Sequence, residues 1–304
     1  MSSAVVTLFD GHTVDLADYD IKGLVSLQFD EETRFAEAIK MAAPFSQERA
    51  ELTRRGYALI HAMLAHRCER NQQPFGLGDK SFGPSVAVAV VKQMLKHRRK
   101  LSFFEAGFGT GAVLDAVARV PEVEVCGCDV DLSNVGKRGG DYKLFEGSAY
   151  DVLKTFADNV VDVFFWSEVV EHVPVDEIEG YLRLIYSKLS QGAYLVTIMP
   201  NWHMRPMDIT QLMFPRGTEA KGFHLKEYTL REYSRLLFRN GFTSLTSPFF
   251  FVPGLRRAVL GFGWMARVWH GVKQRCEPVL GMIPFPVRPY FVKFFGFDTM
   301  IARK

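Results

Sequence analysis

The sequence is poor in cysteine: Cys68, Cys126, Cys128 and Cys276 are the four in 304 residues, and no two form a CxxC pair. That excludes a disulfide scaffold. Cys126 and Cys128 are predicted on one face of a strand, where they make poor disulfide partners, so a reducing, cytoplasmic compartment is expected. Long apolar runs are missing too. None approaches the length of about 18 residues that a membrane-spanning helix needs. The first residues reach Asp10 before any apolar core of signal-peptide length, so no secretory signal is expected. No repeat with a period of about 20–50 residues is visible, which excludes solenoids and propellers. Charge of one sign is scarce as well. With 37 Lys and Arg against 34 Asp and Glu the net charge is +3, too little to point to nucleic acid.

What is present is a globular composition, 48% hydrophobic and 23% charged. It excludes disorder and collagen-like architecture. The charge is unevenly placed. Residues 247–304 hold nine Lys or Arg and two Asp or Glu, so this end carries +7 and the rest of the chain −4.

Apolar and polar periodicity divides the chain at about residue 97. Residues 4–9 read as a strand followed by an Asp10-Gly11 turn, and 30–42 and 46–68 as helices, the second capped by Ser46. A third helix is expected after Gly83-Pro84, ending at the basic cluster His97-Arg98-Arg99-Lys100, which reads as a solvated helix end. From residue 98 strands and helices alternate. Strands are predicted at 101–106, 123–129, 142–145, 160–166 and 192–199, and helices at 111–119, 149–156, 175–189 and 229–240. Thr229 and Glu232 form a capping box, and Gly192 and Gly241 sit where helix C-caps belong. Alternation of this kind predicts an α/β fold with a mostly parallel sheet and helices on both faces. Two further strand candidates, 242–252 and 298–302, are expected to pair antiparallel at the sheet edge. The expected organisation is an N-terminal strand and helical cap, 1–97, forming a substrate lid, then a domain over 98–304 with an insertion at 253–289.

Four motifs carry chemistry. Glu105-Ala106-Gly107-Phe108-Gly109-Thr110-Gly111 closes a strand and opens a helix, where open α/β sheets bind ligands. Gly107, Gly109 and Ala112 satisfy a loose dinucleotide pattern. Glu105 argues against a pyrophosphate there, because a carboxylate repels it and would welcome a cationic amino-acid ligand. Asp129 ends the next strand and suits the two hydroxyls of a ribose, or caps the following helix. Glu146-Gly147-Ser148-Ala149 follows the third strand; Ser148 and Ala149 can read an adenine edge, or Ser148 caps a helix. Ser167-Glu168-Val169-Val170-Glu171-His172-Val173 follows the fourth strand at the mouth of the cleft.

As a set, EAGFGTG, GCD, EGSA and WSEVVEHV resemble the class I S-adenosylmethionine-dependent methyltransferases over roughly residues 98–251, with an edge strand at 298–302. The resemblance implies a Rossmann-like seven-stranded sheet with an antiparallel edge hairpin and S-adenosylmethionine as cofactor. It assigns Glu105, Gly107, Phe108, Gly109 and Gly111 to the methionine part, Asp129 to the ribose, Ser148 and Ala149 to the adenine, and Ser167 to the methionine pocket. Ser148 departs from the family, where an aspartate is usual. SEVVEHV with the later His224 resembles the ubiquinone-biosynthesis type of O-methyltransferase. It also resembles the small-RNA 2′-O-methyltransferases, where Glu168, Glu171, His172 and His224 would hold a divalent metal.

A hydroxyl acceptor must lose its proton, a contribution of roughly 10²–10⁴-fold when a positioned base takes it. His172 is the first candidate because imidazole titrates near neutrality; His224 is second and His203 third. Glu168, Glu171 and His172 are expected to converge on one helical turn and to orient His172 without a metal. The bland alternative has the glutamates charging a helix N-terminus and the histidines packing. Met204, Met207, Met213, Trp202 and Phe214 between 200 and 222 fit an apolar acceptor, or packing against the N-terminal helices. The expected function is methyl transfer to an oxygen of a small-molecule or lipid-linked acceptor. RNA 2′-O-methylation with a metal, and an inactive cofactor-binding scaffold, are the alternatives; a basic patch near the core is lacking, so nucleic acid is not expected as a partner. Within 253–289, Leu255, Val259, Phe262, Met265, Trp269 and Val272 would share one face of a helix and Arg256, Arg257, Arg267 and Arg275 the other. That pattern suits peripheral membrane contact, or packing on the core.

Overall fold

The computed structural model describes residues 5–70, 82–132, 142–247, 250–252, 257–259 and 263–304. In chain order they form strands β1 (Val5–Thr7) and β2 (Thr13–Asp15), helices α1 (Ile21–Met41), α2 (Gln47–Arg70) and α3 (Phe82–Leu95), then β3 (Leu101–Ala106), α4 (Ala112–Ala118), β4 (Val123–Asp129) and β5 (Tyr142–Glu146). There follow α5 (Ala149–Lys154), β6 (Val161–Ser167), α6 (Ile178–Lys188), β7 (Leu189–Ile198), α7 (Thr210–Met213), α8 (Leu230–Arg239), β8 (Ser244–Thr246), β9 (Phe250–Val252), β10 (Arg257–Val259), α9 (Trp264–Cys276), α10 (Arg288–Phe294) and β11 (Thr299–Arg303).

The chain divides into two compact units. The first comprises Met1–Gly78, Glu171–Glu177 and Arg205–Lys226, and the second Asp79–Val170, Ile178–Met204 and Glu227–Lys304. Helix α3 belongs to the second.

In the first unit β1 and β2 form an antiparallel hairpin, and α1 packs on α2. Leu16, Leu24, Phe35, Ile39, Leu59 and Met63 bury a shared core that Phe223 and Leu225 complete from far along the chain. Helix α1 begins at residue 21, well before the expected residue 30, capped by Asp20, whose carboxylate accepts the Gly23 N–H at 2.6 Å. The apolar pattern hid this start because Gln28, Glu31 and Glu32 occupy buried positions of its inner face. Gln28 donates to Glu32 at 2.6 Å and accepts from Arg67 at 2.6 Å. Ser46 caps α2 as expected, its Oγ accepting the Arg49 N–H at 3.2 Å. Arg49 is buried on Asp176 and Glu177, at 2.8 and 2.9 Å.

The second unit carries a seven-stranded sheet in the order β5-β4-β3-β6-β7-β11-β8. The first five are mutually parallel, and β11 runs antiparallel to both β7 and β8. The Rossmann-like sheet and its antiparallel edge are therefore as expected. Phe103, Phe104, Val163, Phe164, Phe165 and Trp166 are buried on both faces of the sheet, the signature of covered parallel strands.

Four local expectations fail. Residues 242–252 are not one strand: β8 joins the main sheet, while β9 pairs antiparallel with β10. Gly192 caps no helix; it lies inside β7 at φ +75°, beside a register shift opposite Val161 and Val163. The basic cluster after α3 is not merely solvated, because Arg98 reaches Asp162, Ser190 and the Gln191 carbonyl at the strand ends. The single amphipathic helix through Leu255, Val259 and Val272 does not form. Val259 lies in strand β10, helix α9 starts only at Trp264, and Leu255, Arg256 and Phe262 lie outside the described residues.

Candidate functional site

The order of the central strands reverses between β3 and β6, since β4 and β5 lie on one side of β3 and β6 and β7 on the other. A crevice opens at the carboxyl ends of strands at such a switch point. The residues that follow β3 and β6 sit there. Gly107 is followed by Gly109 and Gly111, at φ +67°, +48° and +70°, so the chain turns sharply through the left-handed region before α4. Gly107 admits no side chain: a Cβ would lie 2.4 Å from Val169 Cγ2. Its N–H is bonded to the Cys128 carbonyl at 2.8 Å, and the Gly111 N–H to the Phe108 carbonyl at 2.7 Å. Phe108 itself is buried in the sheet's core.

Asp129 ends β4 with a nearly buried carboxylate. One oxygen accepts the Gly109 N–H at 2.8 Å and the other the Asp131 N–H at 3.2 Å. It thus organises the glycine turn, a role its spacing did not disclose. Glu105 is buried, and its Oε2 has no hydrogen-bond partner. Burial, with the Asp129 charge added, pushes its carboxyl well above the usual carboxylate range. A buried carboxylate oxygen lacking a donor, beside glycines that leave room for backbone approach, fits a cationic ligand such as the ammonium of S-adenosylmethionine.

Ser148 caps α5: its Oγ accepts the Asp151 N–H at 3.1 Å and lies 2.8 Å from Asp151 Oδ2. The capping alternative therefore holds for its side chain, and Ala149 begins the helix. The Gly147 N–H is bonded to the Asp129 carbonyl at 2.8 Å, which sets this turn beside the end of β4. Ser167 is the last residue of β6, opposite Ile198. Glu168 follows at φ +56°, rare for a non-glycine residue, with its N–H on the Ile198 carbonyl at 2.9 Å. Such strain costs on the order of 1–3 kcal/mol and gathers at functional sites.

In the first unit, Glu171, His172 and His224 converge, each offering a ligand atom within 4.8 Å of the others. They do so without the expected α-helical turn, since Val170–His172 is a short 3₁₀ turn. Glu168, in the left-handed conformation and in the other unit, is not among them. Neither is His203, which also belongs to the second unit. The rings of His172 and His224 meet edge to face at 4.9 Å, and His224 Nε2 lies 4.0 Å from Glu171 Oε1. His172 Nδ1 is 2.8 Å from the Phe223 carbonyl, so that nitrogen carries the proton and Nε2 keeps its lone pair. Tyr57 packs edge-on against it at 5.6 Å. Burial, reinforced by His224, pushes the His172 imidazole down to about 3. The expectation that it titrates near neutrality fails, because the ring sits among aromatic side chains that penalise its charge. One carboxylate and two imidazoles at this spacing could also hold a divalent ion.

A second buried acidic group lies in the same unit. Glu32 accepts the Phe223 N–H at 3.3 Å, and Asp208 accepts the Gly222 N–H at 2.8 Å. No sequence motif announces them: Glu32 stands in the acidic run Asp30-Glu31-Glu32 of a helix, which reads as a solvated face, and Asp208 in a loop. The backbone they hold, Gly222–Phe223, leads into His224.

Residues 104–197 match the family described as a methyltransferase domain. No curated protein matches the sequence. Among solved structures, a SAM-dependent methyltransferase from Archaeoglobus fulgidus is 19% identical over 75% of this chain and 95% of its own, with a TM-score of 0.48. The plantazolicin methyltransferase BamL, solved with a triazolic desmethylPZN analog and SAH, is 12% identical over 93% of this chain and 98% of its own, at 0.49. Phosphoethanolamine N-methyltransferase 2 from Haemonchus contortus, solved with S-adenosyl-L-methionine, is 12% identical over 72% and 52%, at 0.44. The family match, to a methyltransferase domain, spans β3 to β7 and includes the glycine turn, Asp129 and the buried Glu105.

Proposed function

We propose that this enzyme methylates an oxygen of a small-molecule or lipid-linked acceptor, in the manner of the ubiquinone-biosynthesis type of O-methyltransferase that its sequence resembles, and that it works in the cytoplasm. The observation that carries the oxygen is the cluster of Glu171, His172 and His224, because a hydroxyl nucleophile needs a base. Bound S-adenosylmethionine supplies an electrophilic methyl group on a sulfonium, whose leaving group is neutral and needs no acid. Glu105 and the turn Gly107, Phe108, Gly109 and Gly111 hold the methionine part. Asp129 accepts the ribose hydroxyls while keeping the turn in place. Ser148 and Ala149 meet the adenine through their backbone, the Ser148 hydroxyl being taken up in its cap. Ser167 lines the methionine pocket, and the strained Glu168 adds negative charge favourable to a sulfonium.

His224 takes the acceptor's proton in this reading, and Glu171 stabilises the imidazolium that results. His172 stays neutral and receives a hydrogen bond through Nε2. Alignment of nucleophile, methyl and sulfur supplies up to about 7–11 kcal/mol in favourable cases. Met207, Leu212 and Met213, exposed on the first unit, suit an apolar acceptor. A second reading, metal assistance by the same three side chains, is favoured by their ligand spacing and by the neutrality of His172.

The experiment is transfer of a labelled methyl group from S-adenosylmethionine into host extract, followed by partition into lipid, small-molecule, RNA and protein fractions. Label in an alkali-stable ether of the lipid or small-molecule fraction supports the reading. Label confined to RNA or protein overturns it.

A further inference from the structure

Helix α9 is turned inside out. Its inward stripe is Ala266, His270 and Lys273, all buried. His270 is held at both ring nitrogens, with Nδ1 2.7 Å from Ser247 Oγ and Nε2 3.1 Å from Ser234 Oγ. Lys273 Nζ donates to the carbonyls of Phe295 and Gly296, both at 2.8 Å. These bonds fix the rotation of the helix, because breaking them would strand buried polar groups. The opposite side then presents Trp264, Met265, Val268 and Val272 to solvent, Trp264 at 68% exposure. The sequence grouped Met265, Trp269 and Val272 on one apolar face; Met265 and Val272 are exposed, whereas Trp269 is half-buried against Phe295.

The apolar surface continues past the helix through Val279, Met282, Val287, Tyr290 and Phe291, with Met282 at 84% and Tyr290 at 72% exposure. Of the eighteen large apolar side chains exposed among the described residues, nine lie between 264 and 291. Charge in this stretch has one sign at the surface. Arg267 and Arg275 are exposed, and the stretch contains one acid, Glu277. Glu277 is buried, accepting the N–H groups of Leu230 at 2.6 Å and Arg231 at 3.0 Å and an Asn201 Nδ2–H at 2.9 Å.

We propose that the outward face of residues 264–291 docks on the surface of an anionic lipid bilayer. An exposed apolar face with Trp and Tyr, flanked by arginines and free of surface carboxylates, matches the requirements of the headgroup boundary. Each exposed arginine near such a surface raises binding about fivefold. A second copy of the chain is a poorer occupant, since a symmetric contact would set Arg267 and Arg275 against themselves within an apolar interface.

Vesicle flotation of the full chain tests this, independently of cofactor or acceptor. Vesicles of equal parts phosphatidylcholine and phosphatidylglycerol should carry the protein at low salt and release it at high salt, and pure phosphatidylcholine should carry little. The triple variant Trp264→Ser, Met265→Ser, Val268→Ser and the double variant Arg267→Glu, Arg275→Glu should each lower the bound fraction at least tenfold. Their thermal melts should match the wild type, as the altered side chains are exposed. Absence of wild-type flotation with the anionic vesicles at low salt overturns the proposal, as does flotation unchanged in both variants. Sedimentation showing a dimer that the triple variant dissociates, without flotation, would assign the face to a second copy and equally overturn it.

Discussion

Gly56 faces the ring of Phe223 so closely that a Cβ at position 56 would lie 2.3 Å from Phe223 Cζ. The carbonyl of that same Phe223 holds His172 Nδ1. A helix glycine 167 residues away in sequence therefore sets the depth of the ring and, through its backbone, the tautomer of a histidine in the candidate site.

Gly56→Ala should cost about 1–3 kcal/mol of stability, as overpacking of a filled core does. The same variant should lower kcat more than it raises KM, because Phe223 is displaced and His172 with it. Thermal melts and steady-state kinetics measure the two effects; a variant as stable and as active as the wild type refutes both.

Asp129→Ala should weaken binding of S-adenosylmethionine or its demethylated product by about 1–3 kcal/mol, the loss of charged hydrogen bonds. Part of the effect comes from the glycine turn, whose Gly109 N–H loses its acceptor. Titration calorimetry reads it directly, and wild-type affinity in the variant would remove Asp129 from the cofactor site.

Glu171→Gln and His224→Ala should each cut turnover by about 10²-fold or more and leave cofactor affinity nearly intact. His172→Ala should lose less than His224→Ala. The reverse ranking would return the proton to His172. Loss of activity in chelator, restored by magnesium or manganese, would establish the metal-assisted version.

Burial, with Asp208 adding to it, pushes the Glu32 carboxyl up to about 7. The unfolded chain releases this proton near pH 4.5, the folded protein near 7, so folding binds the proton between those values. Stability from this group is full below about pH 4.5 and declines as the pH rises through 7, by at most about 3 kcal/mol. Glu32→Gln mimics the protonated form. The Tm of the variant minus that of the wild type should grow from pH 5 to pH 8; a constant difference would show that Glu32 ionises normally.

Much of the sheet could be read from the residues because its strands are short apolar runs set between helix signals. Leu101–Ala106 and Val123–Asp129 fall at the expected positions, and the Thr229–Glu232 capping box is formed. The glycine turn was legible for the same reason: it is local, and its geometry demands glycine. What escaped were arrangements with no local signature. The inner face of α1 carries Gln28 and Glu32, which read as solvent-facing until Arg67 and Phe223 are brought to them. In α9 the apolar face could be read as facing either a membrane or the core; the choice is made by the buried bonds of His270 and Lys273, whose partners are distant in sequence. The Glu171, His172 and His224 cluster was half visible. Its members were named from the motif, yet the left-handed Glu168 breaks the helical spacing that would have joined it to them.

The first unit is assembled from three stretches of chain: 1–78, 171–177 and 205–226. A ribosome makes its helices first and the partners that complete them last. At synthesis rates of about 5–20 residues per second, α2 waits roughly 10–30 seconds after Gly56 appears before Phe223 is made. Over that interval Arg49 lacks Asp176 and Glu177, and the apolar stripe of Leu59 and Met63 lacks its aromatic lid. Helices α1 and α2 are thus open to chaperones and proteases during synthesis until the stretches that complete their unit, 171–177 and 205–226, have followed them.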